Sequence, residues 1–364
     1  MNVEKKDGAI YYRAWDNVKE TRPDGKKVNR LPEKITQDLE KKQYRVYGHS
    51  AVQICGWTKK ALTNEESSCY KQKFYGIDCH SCMEFSPAVM WCQQNCTFCW
   101  RPMEFMKNIE INPEEVDNFK DIVDTLLEER KKLLSGFRSS KTLNTKKFDE
   151  AQVPSHFAIS LSGEPTMYPH LDKIIEYLKS FPKTKSIFLV TNAQIPEFFE
   201  KLLETPKALP TQLYISIDAP SKEHFKKINL SLYEDGWERL QRSLEYFSKI
   251  QTRKIFRMTQ IKGTNDKEED LEGYKTLVEK GKPDFIEVKA YMHIGMSQGR
   301  HKKEEMPEFL EVKEFAQKLA NYLGNYNFVH EAPASRICLL QRKDTPYQVK
   351  IEQFENEKVL PKKD

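Results

Sequence analysis

Three closely spaced cysteines are the residues of this chain best suited to chemistry. Cys92, Cys96 and Cys99 are spaced C-x-x-x-C-x-x-C, and Phe98 stands directly before the last of them. Thiolates are the ligands of iron-sulfur clusters, and a 4Fe-4S cube with only three protein ligands keeps one iron open to a small molecule. The spacing therefore predicts a cluster with an open, reactive position.

Structural zinc is the alternative interpretation of this loop. Zinc prefers four protein ligands, usually two C-x-x-C-like pairs or one such pair with a distant H-x-x-x-H motif. No second pair of this kind brackets residues 92–99. The loop therefore favours the cluster over zinc.

Four further cysteines lie upstream of the loop, at Cys55, Cys69, Cys79 and Cys82. Any one of them could be a buried thiol, because cysteine is among the most often buried residue types. Four together beside a proposed cluster loop are explained more economically by a second iron-sulfur site. Their wide spacing argues against a compact zinc knuckle.

Strand patterns recur downstream of the loop at regular distances. After an opening strand near Val89, strands are expected to end at Ser162, Thr191, Asp218 and Gln260, and the next passes Lys289. These positions differ by 29, 27, 42 and 29 residues, roughly the length of one βα unit of a parallel barrel. About six units are predicted, so the expected fold is α/β, an incomplete (βα)6 TIM-like barrel.

Local signals predict three further segments. Lys34 to Lys42 indicate a short helix within a polar extension, and Asn112-Pro113-Glu114-Glu115 is typical of a helix start, with a capping side chain, proline at the first position and acids in the first turn. Residues 137–153 show no clear period and are predicted to be a long loop. Its basic residues are Arg138, Lys141, Lys146 and Lys147.

Small polar and acidic residues stand where the predicted strands end. They are Ser162, Gly163 and Glu164 after the first strand, Thr191 and Asn192 at the second, and Ser216 and Asp218 at the third. The carboxyl ends of barrel strands form the active-site face, where a carboxylate such as that of Glu164 would favour an ammonium group. Alternatively, these residues are plain turns and caps of the following helices.

Composition places the chain among globular proteins of a reducing compartment. It has 364 residues, 38% hydrophobic and 31% charged, and no apolar stretch approaches the length of a membrane span. The N-terminus lacks the apolar region of a signal peptide, so we expect a cytoplasmic protein. Crowded cysteines then indicate metal or redox chemistry, and a net charge of +5 permits an RNA partner without requiring one.

The cluster loop resembles that of the radical SAM superfamily, in which the open iron chelates S-adenosylmethionine (SAM) and an electron cleaves it to a 5′-deoxyadenosyl radical. The segments HSAVQICGWTKKAL, CYKQKFYGI and HSCMEFSP before it resemble the archaeal tRNA 4-demethylwyosine synthases. Ser162-Gly163-Glu164-Pro165 resembles the superfamily's SAM-binding GGE-type motif. EVKAYMHIGMSQGRHKK and HEAPASRICLL also resemble that family, and the likeness extends over most of residues 44–342.

This resemblance implies a set of site residues. Two 4Fe-4S clusters are expected, one on Cys92, Cys96 and Cys99 and one on Cys55, Cys69 and Cys82, while Cys79 stands where the family more often has serine. SAM is expected to be bound by Ser162, Gly163, Glu164, Thr191, Asn192, Ser216 and Asp218. In that family a lysine two residues after the middle cysteine is the proposed Schiff-base former with pyruvate, and Lys71 stands at this position. Along an extended segment it would point to the same side as Cys69. Its alternative role is a solvated surface lysine.

The resemblance also implies an activity and partners. The family condenses pyruvate with N1-methylguanosine beside the anticodon of phenylalanine tRNA to give 4-demethylwyosine, a carbon-carbon lyase reaction. Because the chain has no flavodoxin-like extension, we expect a separate electron donor of flavodoxin or ferredoxin type. We also expect a monomer without membrane association. Arg300 to Lys303 form a basic cluster suited to phosphates or, alternatively, to solvent.

Three parts of the chain are expected. Residues 1–83 form an N-terminal extension carrying the second cluster, residues 84–300 form the radical SAM core, and residues 301–364 form a C-terminal extension packed on the barrel. Two alternative functions stay open: another two-cluster radical SAM enzyme, such as a glycyl-radical activating enzyme, and a zinc-dependent RNA-binding module without catalysis.

Overall fold

A computed structural model of the protein describes residues 18–63, 68–101 and 111–351, together with the backbone of two short strands nearer the N-terminus. The strands are β1 (Val3–Lys6), β2 (Ala9–Tyr12), β3 (Val18–Thr21), β4 (Lys27–Arg30), β5 (Tyr44–Tyr47), β6 (Ser50–Gln53), β7 (Cys82–Ser86), β8 (His156–Ile159), β9 (Ser186–Thr191), β10 (Gln212–Ser216), β11 (Arg253–Gln260), β12 (Phe285–Ala290), β13 (Tyr326–Ala332) and β14 (Ile337–Arg342). The helices are α1 (Glu33–Lys41), α2 (Gly56–Thr63), α3 (Tyr70–Tyr75), α4 (Phe119–Ser135), α5 (Thr145–Ala151), α6 (Leu171–Lys179), α7 (Pro196–Glu204), α8 (Lys222–Ile228), α9 (Gly236–Lys249), α10 (Leu271–Gly281) and α11 (Phe309–Leu323).

One ten-stranded sheet organises the described part of the chain, in the order β13-β14-β12-β11-β10-β9-β8-β7-β6-β5. The strands β7 to β12 are parallel to one another, and β6 and β14 pair antiparallel with the two outer strands of this set, β7 and β12. Helices connect the parallel strands as in a barrel of six βα units. The predicted incomplete (βα)6 barrel is confirmed.

The first barrel strand lies slightly earlier in the chain than Val89, near which the sequence analysis placed it. β7 stops at Ser86 rather than near Val89, because Pro87 has no N–H group to donate to a strand ladder. Its carbonyl is instead used by the buried His49, whose Nδ1 donates to it at 2.6 Å. The hydrophobic run beyond Pro87 is therefore buried chain that leads into the cluster loop.

The helix after the cluster loop also begins later than predicted. Residues Pro113–Glu115 form only a short 3-10 turn, and α4 begins at Phe119 with Asn118 as its cap. A buried ion pair explains the delay, since the carboxylate of Asp117 accepts from Arg30 at 2.7 Å and its backbone N–H donates to His49 Nε2 at 2.9 Å. These contacts interrupt the helical pattern, an effect that no local signal shows.

The predicted loop at residues 137–153 is partly helical. Asn144 accepts a hydrogen bond from Lys147 N at 3.0 Å and so caps α5. Phe148 and Ala151 on this helix pack with Leu62 and Leu134. With only seven residues, α5 is too short to display a helical period.

The interior of the partial barrel is filled by a segment from the N-terminal part of the chain. Tyr70, Phe74 and Tyr75 of α3 pack with Phe188 and Tyr214 on the inner face of the sheet. The outer face of the sheet packs against the helices in a separate, larger cluster. Burial of α3 inside the barrel therefore sets the position of Cys69 and Lys71.

The predicted three-part division meets two structural facts. β7 spans the expected boundary after residue 83, and β5, β6, β13 and β14 all belong to the same sheet as the barrel strands. Residues 352–364 of the expected C-terminal extension lie outside the described residues. The division itself stays a prediction. Among the described residues, no helix combines the length and apolarity that crossing a membrane requires.

Candidate active site

The cluster loop lies at the carboxyl end of the barrel strands and is held there by main-chain hydrogen bonds. On one side it pairs with the segment after α8. These bonds run from Asn95 N to Leu230 O at 3.1 Å, from Thr97 N to Ile228 O at 2.8 Å and from Leu232 N to Gln93 O at 2.8 Å. Backbone pairing of this kind fixes the loop and leaves the cysteine side chains available for ligation.

The other side of the loop contacts the segment that follows β12. Met296 N donates to Trp100 O at 3.1 Å, and the guanidinium of Arg300 donates to Thr97 O at 2.9 Å and to Cys99 O. The sequence analysis placed Arg300 in a cluster suited to phosphates; the structure shows it bound to the cluster loop, and a contact with phosphate stays a prediction. Its planar donor fork is directed at the cluster loop.

The three loop thiols lie close together at this position. Burial raises the pKa of Cys92 and of Cys96, and the thiols of Cys92 and Cys99 also raise that of Cys96. Asn192 Nδ2 lies 3.6 Å from Cys92 Sγ, and Asn229 Nδ2 lies 3.8 Å from Cys96 Sγ. Amide donors directed at sulfur are a feature of iron-sulfur sites, so these residues fit such a cluster.

The Ser162-Gly163-Glu164 turn packs directly against the start of the cluster loop. Gly163 has a φ of +70°, and a Cβ there would lie 2.0 Å from Ala88 O and 2.7 Å from Trp91 O. Glu164 N donates to Trp91 O at 2.6 Å. Position 163 therefore needs a residue that adopts a positive φ and has no Cβ, and only glycine meets both requirements. The buried Ser162 Oγ has no hydrogen-bond partner within the described part of the chain, so it suits a polar ligand.

The Glu164 carboxylate is the centre of a buried network. It accepts from Thr166 N at 3.1 Å, from Thr166 Oγ1 at 2.7 Å, from Thr191 Oγ1 at 2.6 Å and from Asn192 N at 2.8 Å. Burial raises its pKa, and these hydrogen bonds act in the opposite direction. The network joins the ends of β8 and β9, and contact of Glu164 with an ammonium group stays a prediction.

The remaining strand-end residues differ in their surroundings. Asp218 is buried, accepts from Thr259 N at 2.9 Å and has a pKa raised by burial to about 6. Its charge also raises the pKa of Cys96, so Asp218 lies near the cluster loop. Ser216 is half-buried at the end of β10. Their contacts with a ligand also stay predictions.

The four upstream cysteines converge although they come from four different elements. Cys55 precedes α2, Cys69 caps α3, Cys79 opens a 3-10 turn and Cys82 begins β7. Burial raises the pKa of Cys69 to about 12, and the thiols of Cys55 and Cys79 contribute. Burial, followed by the Cys55 thiol, likewise raises that of Cys82. Within the described ranges, no three His, Cys, Asp or Glu side chains are placed to share a single metal ion.

Lys71 points into the barrel interior, but the sequence argument for its direction is wrong. Cys69 and Lys71 do not share an extended segment, because Lys71 lies in the first turn of α3. Its Nζ lies 4.6 Å from the ring centre of Phe188 and 5.6 Å from that of Tyr214. The Lys71 charge opposes the effect of burial on the pKa of Cys69 and of Glu84. Lys71 is therefore beside the second cysteine set.

A charged network on the inner wall beside Lys71 was missed by the sequence analysis. Arg257 Nε donates to Glu287 Oε2 at 2.5 Å, and Tyr75 and Tyr214 donate to Glu287 Oε1 at 2.5 and 3.2 Å. Lys289 follows on the same face of β12, because side chains alternate along a strand. The alternation in FIEVKA, with Glu287 and Lys289 between apolar residues, was the available signal.

Comparison with known proteins agrees with this geometry. The family model for the radical SAM superfamily matches residues 87–273, and the model for wyosine base formation matches residues 280–342. The S-adenosyl-L-methionine-dependent tRNA 4-demethylwyosine synthase of Pyrococcus abyssi is 40% identical over 87% of this chain and 91% of its own length. The protein of that name from Methanocaldococcus jannaschii is 37% identical over 88% of this chain and 100% of its own.

Two solved structures are similar over nearly the whole described chain. A structure of TYW1 with a lysine-pyruvate adduct bound is 35% identical with a TM-score of 0.77, and it covers 88% of this chain and 99% of its own. A crystal structure of archaeal TYW1 is 31% identical with a TM-score of 0.71 over the same shares.

Replacing Gly163 by alanine tests the packing of the turn against the loop. The added Cβ would overlap two main-chain oxygens, so we expect Gly163→Ala to weaken SAM binding at least about tenfold, equivalent to about 1.4 kcal/mol. Equilibrium dialysis of SAM against anaerobically purified protein measures this. Gly299→Ala is the control, since no heavy atom lies within 4 Å of a Cβ at that position. Equal SAM affinity of both variants would contradict the assignment.

Proposed function

We propose that this chain, which belongs to the S-adenosyl-L-methionine-dependent tRNA 4-demethylwyosine synthase family, condenses pyruvate with N1-methylguanosine of phenylalanine tRNA to give 4-demethylwyosine. The chain is a radical SAM enzyme of wyosine base formation. The observation that carries the proposal is Lys71, an amine held inside the barrel between the second cysteine set and the rings of Phe188 and Tyr214.

Each part of the site has a chemical task in this proposal. A 4Fe-4S cluster held by Cys92, Cys96 and Cys99 would supply the electron that cleaves SAM to the radical that abstracts hydrogen from the substrate methyl group. Gly163 lets the SAM-binding turn approach the loop, and Asn192 and Asn229 direct amide protons at the sulfurs. Lys71 attacks the ketone of pyruvate, so that a carbon-nitrogen bond forms and water leaves.

The finer assignments follow from the same proposal. A carbon-carbon bond of pyruvate breaks when its two-carbon fragment is transferred, which places the reaction in the carbon-carbon lyase class. The electron comes from a separate protein of flavodoxin or ferredoxin type, as the family resemblance implies. We further propose a cytoplasmic monomer that docks the anticodon stem-loop of the tRNA at the carboxyl end of the barrel.

We propose that Cys55, Cys69 and Cys82 hold a second 4Fe-4S cluster. The support is their convergence with Cys79 in one buried region beside Lys71. In this assignment Cys79 is a spare thiol. Its backbone carbonyl accepts a hydrogen bond from Thr58 Oγ1 at 2.9 Å, so it also has a structural function.

Iron counting tests the two cluster assignments. We expect about eight irons in anaerobically purified protein and about four after alanine replacement of either ligand set, since each cube holds four. Cys79→Ala and Cys338→Ala should each retain about eight, the latter because Cys338 is buried on β14 in the outer core cluster, which contains none of the second-set cysteines. A content of about one zinc and no iron per protein would contradict both cluster assignments.

The tRNA is proposed to bind at the rim of the barrel beside the cluster loop. Trp100, Ile294 and Met296 are 45%, 44% and 37% exposed there, which suits stacking of an unpaired base. Lys302 and Lys303 are exposed in the adjoining segment. The basic residues of 137–147 precede β8 and so lie at the opposite, amino end of the strands. The two basic segments expected from the sequence therefore do not form one surface.

The salt dependence of tRNA binding tests this rim. We expect joint Lys302→Ala and Lys303→Ala replacement to weaken tRNA binding and to lower the slope of log affinity against log salt by roughly one to two, because phosphate contacts release counterions. The matched control is joint Lys141→Ala and Lys146→Ala replacement, which removes two exposed lysines at the opposite end. An unchanged slope in the first variant would show that Lys302 and Lys303 are only solvated.

Trapping of the imine tests Lys71 and the proposed function. Borohydride with labelled pyruvate should mark the protein at Lys71, because an imine is reduced to a stable amine. Lys71→Ala should cleave SAM without forming the tricyclic base, and Lys71→Arg should fail likewise because a guanidinium stays protonated. Lys73→Ala is the control, an exposed lysine on the same helix. Label on another lysine, or normal product from Lys71→Ala, would refute the assignment.

A further inference from the structure

Lys289 is a cation inside the barrel without a protein counter-ion of its own. Its Nζ donates to Ser335 O at 2.9 Å, and no ion pair within the described ranges includes it. An ammonium group has three protons to donate, and a charge removed from bulk water is costly unless it is paired. Lys289 is half-buried, and strand alternation puts its side chain on the inner face of β12 together with that of Glu287.

The neighbouring charges do not neutralise Lys289. Glu287, its nearest carboxylate on β12, already accepts from Arg257, Tyr75 and Tyr214. The charge of Arg336 lowers the pKa of Lys289, and this arginine is itself paired with Glu308 at 2.9 Å. Lys289 is therefore a surplus positive charge on this wall.

The position of Lys289 relates it to Lys71. The Lys71 charge lowers the pKa of Cys69, and the Cys69 charge raises the pKa of Lys289, so both lysines lie near that thiol. Lys289 shares the inner face of β12 with Glu287, which accepts from the Tyr214 hydroxyl, and the Tyr214 ring lies 5.6 Å from Lys71 Nζ. Two amines thus approach one region of the barrel interior from α3 and from β12.

We propose that Lys289 binds the carboxylate of an α-keto acid whose ketone condenses with Lys71, and so selects this class of co-substrate. The inference rests on the proposed function and adds its specificity determinant. Charge supports it, because the carboxylate of an α-keto acid is an anion and no ion pair within the described ranges includes Lys289. Lys289 thus contacts the substrate directly and holds its carboxylate, the end that does not react.

Borohydride trapping of labelled pyruvate tests this without turnover of the enzyme. Lys289→Met keeps the length of the side chain and removes its charge, so we expect the half-saturating pyruvate concentration for trapping at Lys71 to rise at least tenfold, and Lys289→Arg to restore most of it. Reductive SAM cleavage should be unchanged. The matched control is Lys254→Met, on the outer face of β11, whose Nζ also donates to a backbone carbonyl, Ser248 O, at 2.8 Å.

A second measurement compares two ketone substrates that differ in charge. The intact protein should be trapped with pyruvate at lower concentrations than with its methyl ester, and Lys289→Met should lose this preference. Three outcomes would overturn the inference: an unchanged half-saturating concentration in Lys289→Met, no preference for pyruvate in the intact protein, or label on Lys289 itself. In each case trapping of pyruvate at a lysine would still support the proposed function. If the intact protein traps no pyruvate at any lysine, the proposed function fails first.

Discussion

Burial of the short helix α3 inside the partial barrel is the constraint on which the rest of the site depends. An open barrel of six strands exposes its inner face, and here Tyr70, Phe74 and Tyr75 cover that face with aromatic side chains. Burying three such side chains contributes several kcal/mol to the free energy of folding. The same packing leaves Lys71 little choice of direction, so stability of the core and placement of a reactive amine are one and the same requirement.

The interior that results is unusually polar for a protein core. Arg257 and Glu287 are held by each other and by the hydroxyl groups of Tyr75 and Tyr214, which satisfies charges that would otherwise be costly to bury. Such a network keeps the inner wall in a single arrangement. A small anionic substrate then meets fixed dipoles and charges instead of a wall that must first rearrange.

Much of the architecture follows from local sequence signals, and the exceptions have physical causes. The loop cysteines and the strand ends at Thr191 and Gln260 were visible because ligand spacing and βα length are properties of short segments, and the end predicted at Asp218 lies two residues beyond the end of β10. The start of α4 was not, since a distant arginine holds the carboxylate of Asp117. The extended segment predicted around Lys71 is a helix instead, and the sequence did not show it because six residues are too few to show a helical period.

The cluster loop shows what main-chain anchoring means for change in the sequence. Its neighbours bind carbonyl and amide groups of Gln93, Asn95, Thr97, Cys99 and Trp100, which every amino acid except proline can offer. An exposed side chain of this segment, such as that of Trp100, can therefore be exchanged while the sulfur atoms keep their places. A family with this construction can alter the surface beside its cluster, and with it the molecules that are admitted, without rebuilding the electron-accepting centre.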